Sequence, residues 1–390
     1  MTSVSMRPPR FGIQFRLRGR RRALARRANE LAAVPGGGTS SWQRPPLVAP
    51  CQPLPWLAVA LVPERTNSRV PVIDDLETPE LIRRTLAGER VPLARAISWV
   101  ENEHPRSPAL LDACFGASGR AFRIGITGPP GAGKSTMVTK LAKEYRRRGE
   151  TVAIVAVDPT SPFSGGALLG DRVRMNELAG DPGVFIRSMA TRGCMGGLAV
   201  HTAQVCDVLD AAGFARILIE TVGVGQSELE VAQTADTTAV VLVPESGDAV
   251  QAMKAGLMEI ADVFVINKAD REGAERAAFA IQSALELRAP TSTWRIPVHR
   301  TVASKGEGIA DVADRFEEHL MFLRESGDLE RRRRQRLEQR LRDLLEGRLW
   351  AAFRARVPDD VWKESLEALA TRRRTPHDVA DALVGDGEGN

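Results

Sequence analysis

The stretch that decides the fold reads Gly128-Pro129-Pro130-Gly131-Ala132-Gly133-Lys134-Ser135-Thr136. It matches G-x-x-x-x-G-K-[ST], a loop whose backbone N–H groups surround phosphate oxygens while the following helix adds its positive end. The apolar run Phe122–Thr127 precedes the loop and the helical pattern Met137–Tyr145 follows it, which is the context that this motif requires. The residues predicted to bind nucleotide phosphates are Gly128, Gly131, Ala132, Gly133, Lys134, Ser135 and Thr136.

Seven apolar runs, the first of which leads into this loop, predict buried strands. Helical patterns such as Ser135–Arg148 separate them, and strands that alternate with helices form a mostly parallel sheet with helices on both faces. The predicted fold class is therefore α/β, a P-loop NTPase. The runs are Phe122–Thr127, Val152–Val157, Val184–Arg187, Ile217–Thr221, Thr238–Val243, Val263–Asn267 and Pro297–Val302.

Residues that follow the sixth and seventh runs predict which base is bound. Asn267-Lys268-Ala269-Asp270 matches the N-K-x-D pattern of GTP-binding proteins. The Asp270 carboxylate can accept hydrogen bonds from the N1–H and 2-amino groups of guanine, and adenine has no such pair of donors. A site that leaves a buried polar group unpaired rejects the wrong ligand strongly, so we predict GTP rather than ATP. A second guanine loop would offer a backbone N–H to guanine O6; its residues are Val302, Ala303 and Ser304.

Acidic residues near strand ends predict a Mg²⁺ site beside the phosphates. Glu220 lies near the end of the fourth run, in the pattern Glu220-Thr221-Val222-Gly223. There the carboxylate can hold Mg²⁺ through a water, and the Gly223 N–H can contact the γ-phosphate. Mg²⁺ takes a few hard oxygen ligands and keeps several waters. The candidates exceed what direct ligation needs, so some of them act indirectly; they are Ser135, Asp158, Asp171 and Glu220.

The first 71 residues differ in composition from the rest of the chain. They contain twelve arginines, no lysine and two acidic residues, and the proline-rich run from Pro45 to Pro63 disfavours long helices and central strands. We predict that residues 1–71 form a disordered basic leader. Three interpretations stay open: an organelle transit peptide, a segment upstream of a true start near Val72, or a solvated tail without function.

Charge, hydropathy and cysteine content exclude several classes of protein. The net charge is +5 for the chain and +10 for the leader, which leaves −5 for residues 72–390, without the basic excess that nucleic-acid binding requires. No stretch of about 18 consecutive apolar residues occurs, so we expect no membrane-spanning helix. Four cysteines without a C-x-x-C pair exclude a disulfide scaffold and argue against a thiolate zinc site. We expect neither nucleic-acid nor membrane partners.

The remaining chain is predicted to have three parts. Residues 72–118 form a helical N-terminal extension, 119–325 the nucleotide domain, and 326–390 a C-terminal helical region. In that last region Asp328–Phe353 is a charged helix with a leucine-rich side, extended by Trp350 and Phe353. Arginine outnumbers lysine 47 to 7, which we interpret as codon or thermal bias rather than function.

Several longer motifs between about residues 73 and 355 resemble the MeaB/ArgK family of P-loop GTPases of the SIMIBI class, which also includes the MMAA protein. They are GITGPPGAGKST, VDPTSPFSGGALLGDRVRM, ETVGVGQSE, INKAD and KGEGI. The resemblance implies hydrolysis of GTP to GDP and phosphate with Mg²⁺, in a chaperone that gates adenosylcobalamin loading and protects an acyl-CoA mutase such as methylmalonyl-CoA mutase. It also implies a homodimer held by the C-terminal arm, Asp328–Phe353.

The resemblance further implies a role for Lys254. In this family a segment after the strand Thr238–Val243 acts as an additional switch, and Asp248 and Lys254 match its functional positions. A lysine near the transferring phosphoryl group would stabilise developing negative charge. Two features depart from the family pattern: the leader has no counterpart, and Cys194-Met195 makes one glycine-rich loop less polar. The predicted catalytic residues are Lys134, Asp171, Glu220 and Lys254.

Two other functions remain open at this level. One is an ATP- or GTP-dependent kinase linked to transport of basic amino acids, although Asn267–Asp270 argues against ATP. The other is a nickel-insertion GTPase of the same class, although the five histidines are scattered along the chain rather than clustered as metal ligands. We expect a cytoplasmic protein, or a mitochondrial-matrix protein if the leader is a transit peptide.

Overall fold

The computed structural model describes residues 77–159, 176–178, 180–191, 197–221, 227–244, 256–287 and 293–385. The predicted leader, residues 1–71, lies outside these ranges, as do Asp171, Gly223, Asp248 and Lys254. For Asp158 only the main chain is described.

The described part of the nucleotide domain is built on a seven-stranded sheet in which every pair of neighbours is parallel. The strand order across the sheet is β3-β2-β4-β1-β5-β6-β7. All strands therefore end at one edge of the sheet, the carboxyl edge, and begin at the opposite one, the amino edge. The strands are β1 Phe122–Thr127, β2 Val152–Pro159, β3 Val184–Thr191, β4 Arg216–Thr221, β5 Thr237–Leu242, β6 Val263–Asn267 and β7 Val298–Thr301.

The central strands are apolar along their whole length because helices cover both faces of the sheet. Every residue of β5 and β6 is buried. This is the reason that buried parallel strands occur as continuous apolar runs rather than as alternating patterns. The seven predicted strands are confirmed, and β3 continues four residues beyond its predicted run, to Thr191.

Helices lie on both faces of the sheet. On one face Leu141 of α4 and Phe316 of α9 belong to the cluster that includes Ile124 of β1. On the other face α5 contacts β4 and α2 packs on α5, in the cluster that includes Ile217 of β4. The predicted α/β P-loop fold is confirmed. The helices are α1 Thr78–Leu86, α2 Arg90–Glu101, α3 Ser107–Phe115, α4 Lys134–Arg147, α5 Gly197–Ala211, α6 Ser227–Thr234, α7 Leu257–Ile260, α8 Ala274–Glu286, α9 Ile309–Glu325, α10 Asp328–Arg356, α11 Asp359–Ala370 and α12 Pro376–Gly385.

The C-terminal region is helical, as predicted. Its long helix α10 has 29 residues, which corresponds to about 43 Å at 1.5 Å per residue. Large apolar side chains on α10 are exposed to solvent, namely Leu337, Leu341, Leu344, Leu345, Leu349 and Trp350. No helix within the described ranges combines the length and the apolar composition needed to cross a membrane.

Candidate nucleotide site

The phosphate loop begins against the main chain of β5. Gly128 has φ 134°, and a Cβ built there would lie 2.0 Å from the carbonyl oxygen of Val241. Only glycine allows both this backbone angle and this close approach. The start of the loop is therefore held in contact with the main chain of β5, at the carboxyl edge of the sheet.

The loop ends against an asparagine side chain. Gly133 has φ 89°, and a Cβ at this position would lie 2.4 Å from Nδ2 of Asn267. The same Nδ2 donates a hydrogen bond of 2.8 Å to the carbonyl oxygen of Ala132. The glycine thus makes room for a contact that joins the end of the loop to the end of β6.

Lys134 is the first residue of α4, and its side chain lies under the loop. The residue is 5% exposed, and its ammonium donates hydrogen bonds to the carbonyl oxygens of Gly128 at 2.8 Å and Pro129 at 3.0 Å. A lysine ammonium has three N–H donors and no acceptor. These contacts hold the positive charge beside the loop that is predicted to surround the phosphates.

Ser135 and Glu220 bring two hard oxygen ligands together. The hydroxyl of Ser135 donates a hydrogen bond of 2.5 Å to Oε1 of Glu220, which is 5% exposed near the end of β4. A hydroxyl and a carboxylate at this distance fit the oxygen donors that Mg²⁺ prefers. Asp158, the residue before the end of β2, lies at the same edge, because Val157 lies opposite Thr221 in the β2–β4 ladder. Two of the four predicted metal residues are therefore in contact; Asp171 lies outside the described residues.

Asn267 joins the phosphate loop to the second predicted guanine loop. Besides donating to Ala132, it accepts hydrogen bonds at Oδ1 from the Ala303 N–H at 3.0 Å and from the Thr301 hydroxyl at 3.2 Å. It is 3% exposed. Asn267 is therefore buried between the two loops and fixes them to each other. Sequence reasoning did not single out Thr301, although it directly precedes the predicted loop.

The second guanine loop is folded on itself in a short hairpin. The Val302 N–H donates to the carbonyl oxygen of Glu307 at 3.1 Å, and the Ala303 N–H is used by Asn267. Val302 and Ala303 are buried, whereas Ser304 is exposed. Of the three residues predicted here, Ser304 is the one whose surface faces solvent.

Asp270 lies at the rim of the site rather than inside it. Its side chain is 43% exposed, and Oδ2 lies 3.6 Å from Nζ of Lys305, which is 57% exposed. The Ala269 N–H donates to the carbonyl oxygen of Thr301 at 3.0 Å, which anchors the turn, and Lys268 has φ 56°. The carboxylate is thus held near the second guanine loop with one side open to a ligand.

Comparison with known proteins places the chain in a family. The model of the family described as methylmalonyl-CoA mutase-associated GTPase MeaB matches residues 93–357. The chain belongs to the MeaB family. Its members are P-loop GTPases of the SIMIBI class, so this chain binds guanine nucleotide and hydrolyses GTP. The resemblance inferred from the sequence motifs is confirmed.

Individual relatives agree with this membership. A Pyrococcus abyssi relative is 46% identical over 308 residues, which cover 78% of this chain and 95% of the relative. A Caenorhabditis elegans relative, named methylmalonic aciduria type A homolog, mitochondrial, is 34% identical over 72% of this chain and 75% of its own length. The crystal structure of a protein named LAO/AO transport system kinase matches with a TM-score of 0.63 and 31% identity, over 82% of this chain and 100% of that one.

Within this MeaB family member, the structure brings most of the predicted site to one edge of the sheet. The phosphate loop follows β1, Glu220 lies at the end of β4, and Asn267 ends β6. A hydroxyl pair that sequence reasoning missed lies beneath them, where Thr221 donates to Thr127 at 3.1 Å between β4 and β1. The position of Thr221 directly after Glu220 was the available signal.

Proposed function

We propose that this GTPase is a chaperone that uses GTP hydrolysis to gate adenosylcobalamin loading of an acyl-CoA mutase, methylmalonyl-CoA mutase or a relative, and to protect that mutase. The observation that carries the proposal is the extent of the family match, because the mutase-associated model covers both the nucleotide domain and the whole of α10. The name of the nematode relative supports the same client.

The described residues support defined roles in hydrolysis. Lys134 and the amides of the phosphate loop would neutralise the phosphates, and their fixed positions would require no reorganisation as charge develops. Ser135 and Glu220 would hold Mg²⁺, which when bound would supply positive charge that offsets the charge of the phosphates. Asp158 and Asp171 are proposed to complete the environment of the metal, and Gly223 to contact the γ-phosphate.

Guanine selection is proposed to involve several segments with different tasks. Asp270 would accept hydrogen bonds from the base, and Lys268 and Ser304 would line the base site. Asn267, through Ala132 and the second guanine loop, would keep these elements at a fixed spacing. Val302 and Ala303 would contribute through this fixed backbone.

The proposed dimer would use the exposed apolar side of α10. Leu341 is 58% exposed, Leu345 49% and Leu349 67%, and these residues recur every four positions along one side of the helix. A row of this kind on a long helix is typical of a surface that is covered by another chain. We propose that a second copy of this protein covers it.

The test measures GTP hydrolysis with and without a cognate mutase, together with transfer of adenosylcobalamin to that mutase. We expect the mutase to accelerate hydrolysis and Lys254→Ala to remove most of the acceleration while GDP affinity stays nearly unchanged, because a group that acts only in the transition state affects rate rather than binding. If the mutase accelerates both proteins equally, Lys254 is not part of a switch. If it affects neither hydrolysis nor cobalamin transfer, the chaperone proposal is wrong.

The name of the similar crystal structure supports a second candidate, a kinase linked to transport of basic amino acids. The two functions differ in the destination of the γ-phosphoryl group. With γ-labelled GTP, a GTPase releases the label as inorganic phosphate, whereas a kinase transfers it to a protein. Label found on a partner protein would favour the kinase.

A further inference from the structure

A row of arginines attaches the first half of α10 to the amino edge of the sheet. Arg332, Arg333, Arg336 and Arg340 lie within an arc of about 100° on one side of the helix, at 100° per residue. Their partners are carboxylates and main-chain carbonyls of the nucleotide domain. We call these four arginines and their partners the arginine clasp.

The centre of the clasp is Asp236, which directly precedes β5 and is 0% exposed. Its Oδ1 accepts hydrogen bonds from Arg336 at 2.5 Å and from Nε of Arg333 at 3.2 Å. Its Oδ2 accepts one from Arg333 at 3.0 Å and one from the main-chain N–H of Arg123 at 3.1 Å. The carboxylate is thus surrounded by donors from α10 and from β1.

Two of the arginines join neighbouring strands to each other. Arg333 also donates to the main-chain carbonyl of Ala121 at 2.9 Å, so it connects the start of β1 to the start of β5. Arg332 donates to the carbonyl of Asp236 at 2.9 Å and to both oxygens of Asp262, at 2.9 and 3.1 Å, so it connects β5 to β6. Farther along the helix, Arg340 pairs with Asp207 of α5.

The same three strands are connected to each other at their carboxyl ends. There the phosphate loop, which follows β1, contacts the main chain of Val241 in β5, because Gly128 has no side chain. Asn267 connects the end of β6 to the loop through Ala132. Residues of the nucleotide site therefore connect β1, β5 and β6 at one edge of the sheet, and α10 connects the same three strands at the other edge.

We propose that the arginine clasp couples nucleotide binding to the attachment of α10. The arginines of the clasp occupy fixed positions along α10. A ligand that changes the spacing of the three strands at their carboxyl ends therefore changes the hydrogen-bond distances between these arginines and the residues at the amino ends of the strands. Packed β-strands transmit such displacements because their interior is nearly incompressible. A nucleotide that favours the strand spacing to which the arginine clasp is fitted strengthens the attachment of α10. By linkage, the clasp strengthens nucleotide binding by the same factor.

The experiment is hydrogen exchange of residues 328–340, with and without saturating GDP, on the full chain. In the wild type GDP is expected to slow exchange by about fivefold or more. Arg333→Met removes the connection that α10 makes between the starts of β1 and β5, and Asp236 still keeps Arg336 and the Arg123 N–H. Arg332→Met removes the connection that α10 makes between the starts of β5 and β6. Both variants should exchange faster in this segment and lose the effect of GDP, and both should bind GDP about fivefold more weakly.

Arg342→Met is the matched control, because Arg342 is on the same helix and, among the described residues, pairs only within it, with exposed Glu338 at 3.7 Å. It should keep the wild-type response to GDP. The coupling is wrong if bound GDP leaves exchange of the wild-type segment unchanged, or if both clasp variants keep the full response. If one of the two clasp variants fails to fold, the other still tests the coupling. No partner protein is needed, so the outcome does not depend on the mutase assignment.

Discussion

At the carboxyl edge of the sheet, close backbone contacts position the charged groups, whereas at the amino edge charged side chains position each other. Gly128 and Gly133 bring the phosphate loop against Val241 and Asn267, and the ammonium of Lys134 donates to carbonyls of that loop. At the opposite edge Asp236 is fully buried among guanidinium groups. The first arrangement presents charge to a ligand, and the second neutralises charge within the protein.

This difference predicts which property each edge controls. Substitutions at the carboxyl edge should change nucleotide binding and hydrolysis while the free energy of unfolding stays nearly constant. Substitutions at the amino edge should mainly lower the free energy of unfolding, with only the smaller, about fivefold effect on GDP binding that the arginine clasp predicts. Ionic groups that serve a ligand and ionic groups that serve the fold are therefore separated by the length of the β-strands, about 20 Å for six residues.

The largest expected effect is at Lys134. Lys134→Ala should reduce GTP hydrolysis by about 10³-fold or more, because it removes a fixed positive charge from the phosphate site. Steady-state hydrolysis measures the loss, and thermal unfolding checks that the fold is retained. Lys143→Ala is the matched control on the same helix, since Lys143 is 42% exposed and pairs with Glu177. Comparable hydrolysis by the Lys134 variant and the control would contradict the assignment of the site.

The next effect is at the opposite edge. Asp236→Ala should lower the free energy of unfolding by about 3–5 kcal/mol, because Arg333 and Arg336 would be left partly buried without their carboxylate. Urea denaturation measures this value. Asp314→Ala is the control: Asp314 is 59% exposed and pairs with Arg148, and exposed ion pairs contribute about 1 kcal/mol or less. If both variants lose the same free energy of unfolding, the buried Asp236 carboxylate contributes no more stability than an exposed ion pair.

His319 provides a pH-dependent test of the amino edge. It is buried beside Asp262, with Nδ1 2.7 Å from the Thr237 hydroxyl, and burial lowers its pKa to about 4 although Asp262 acts in the opposite direction. An unfolded histidine titrates near 6.5, so between about pH 6.5 and 4 the unfolded chain binds a proton that the folded chain does not. The free energy of unfolding should therefore fall as the pH falls, by up to about 3 kcal/mol from this residue.

Urea denaturation between pH 4.5 and 7.5 would show this contribution as a difference between proteins. His319→Gln should have a shallower pH dependence than the wild type, whatever the effect of the substitution at pH 7. The control His377→Gln changes an exposed histidine and should follow the wild-type curve. Parallel curves for the wild type and His319→Gln would contradict a protonation-linked role for the buried imidazole.

The two edges also differ in how far the sequence predicts them. The carboxyl edge relies on glycine angles and strand-end residues at fixed spacing, so the phosphate loop and Asn267–Asp270 could be recognised directly. The amino edge relies on long side chains whose partners are distant in sequence: Arg332 meets Asp262, 70 residues earlier, and Arg333 meets Asp236. No local pattern indicates such pairs.

The structure adds two details that the sequence did not indicate. Whatever the cause of the arginine excess, Arg332 and Arg333 use several N–H donors in a planar arrangement that lysine cannot reproduce. Asn267, predicted to bind the nucleotide, also uses its side-chain amide to join two loops. Strand positions were predictable because buried parallel strands require continuous apolar runs.

The smallest of the expected effects concerns Asp270, and it sharpens the contrast with Asp236. Asp270→Asn should weaken GDP binding by roughly 1.5–3 kcal/mol, because the substitution removes charged hydrogen bonds to the base, while ADP binding should be unaffected. The carboxylate is 43% exposed and shares its surroundings with Lys305, so we expect less than the loss at a fully buried recognition group. The free energy of unfolding should change by no more than about 0.5 kcal/mol, as for other exposed positions.

Calorimetry with GDP and ADP, combined with urea denaturation, separates the two aspartates completely. Asp270→Asn should change GDP affinity and leave the free energy of unfolding nearly unchanged. The main effect of Asp236→Ala should be a lower free energy of unfolding. Asn keeps the size of Asp but places an amide NH₂ group where guanine also presents donors, so the loss should be specific to guanine. Asp314→Asn, which neutralises an exposed aspartate far from the base site, controls for the change in net charge. If the wild type binds GDP and ADP equally, Asp270 does not read the base, and the carboxyl edge selects phosphates alone.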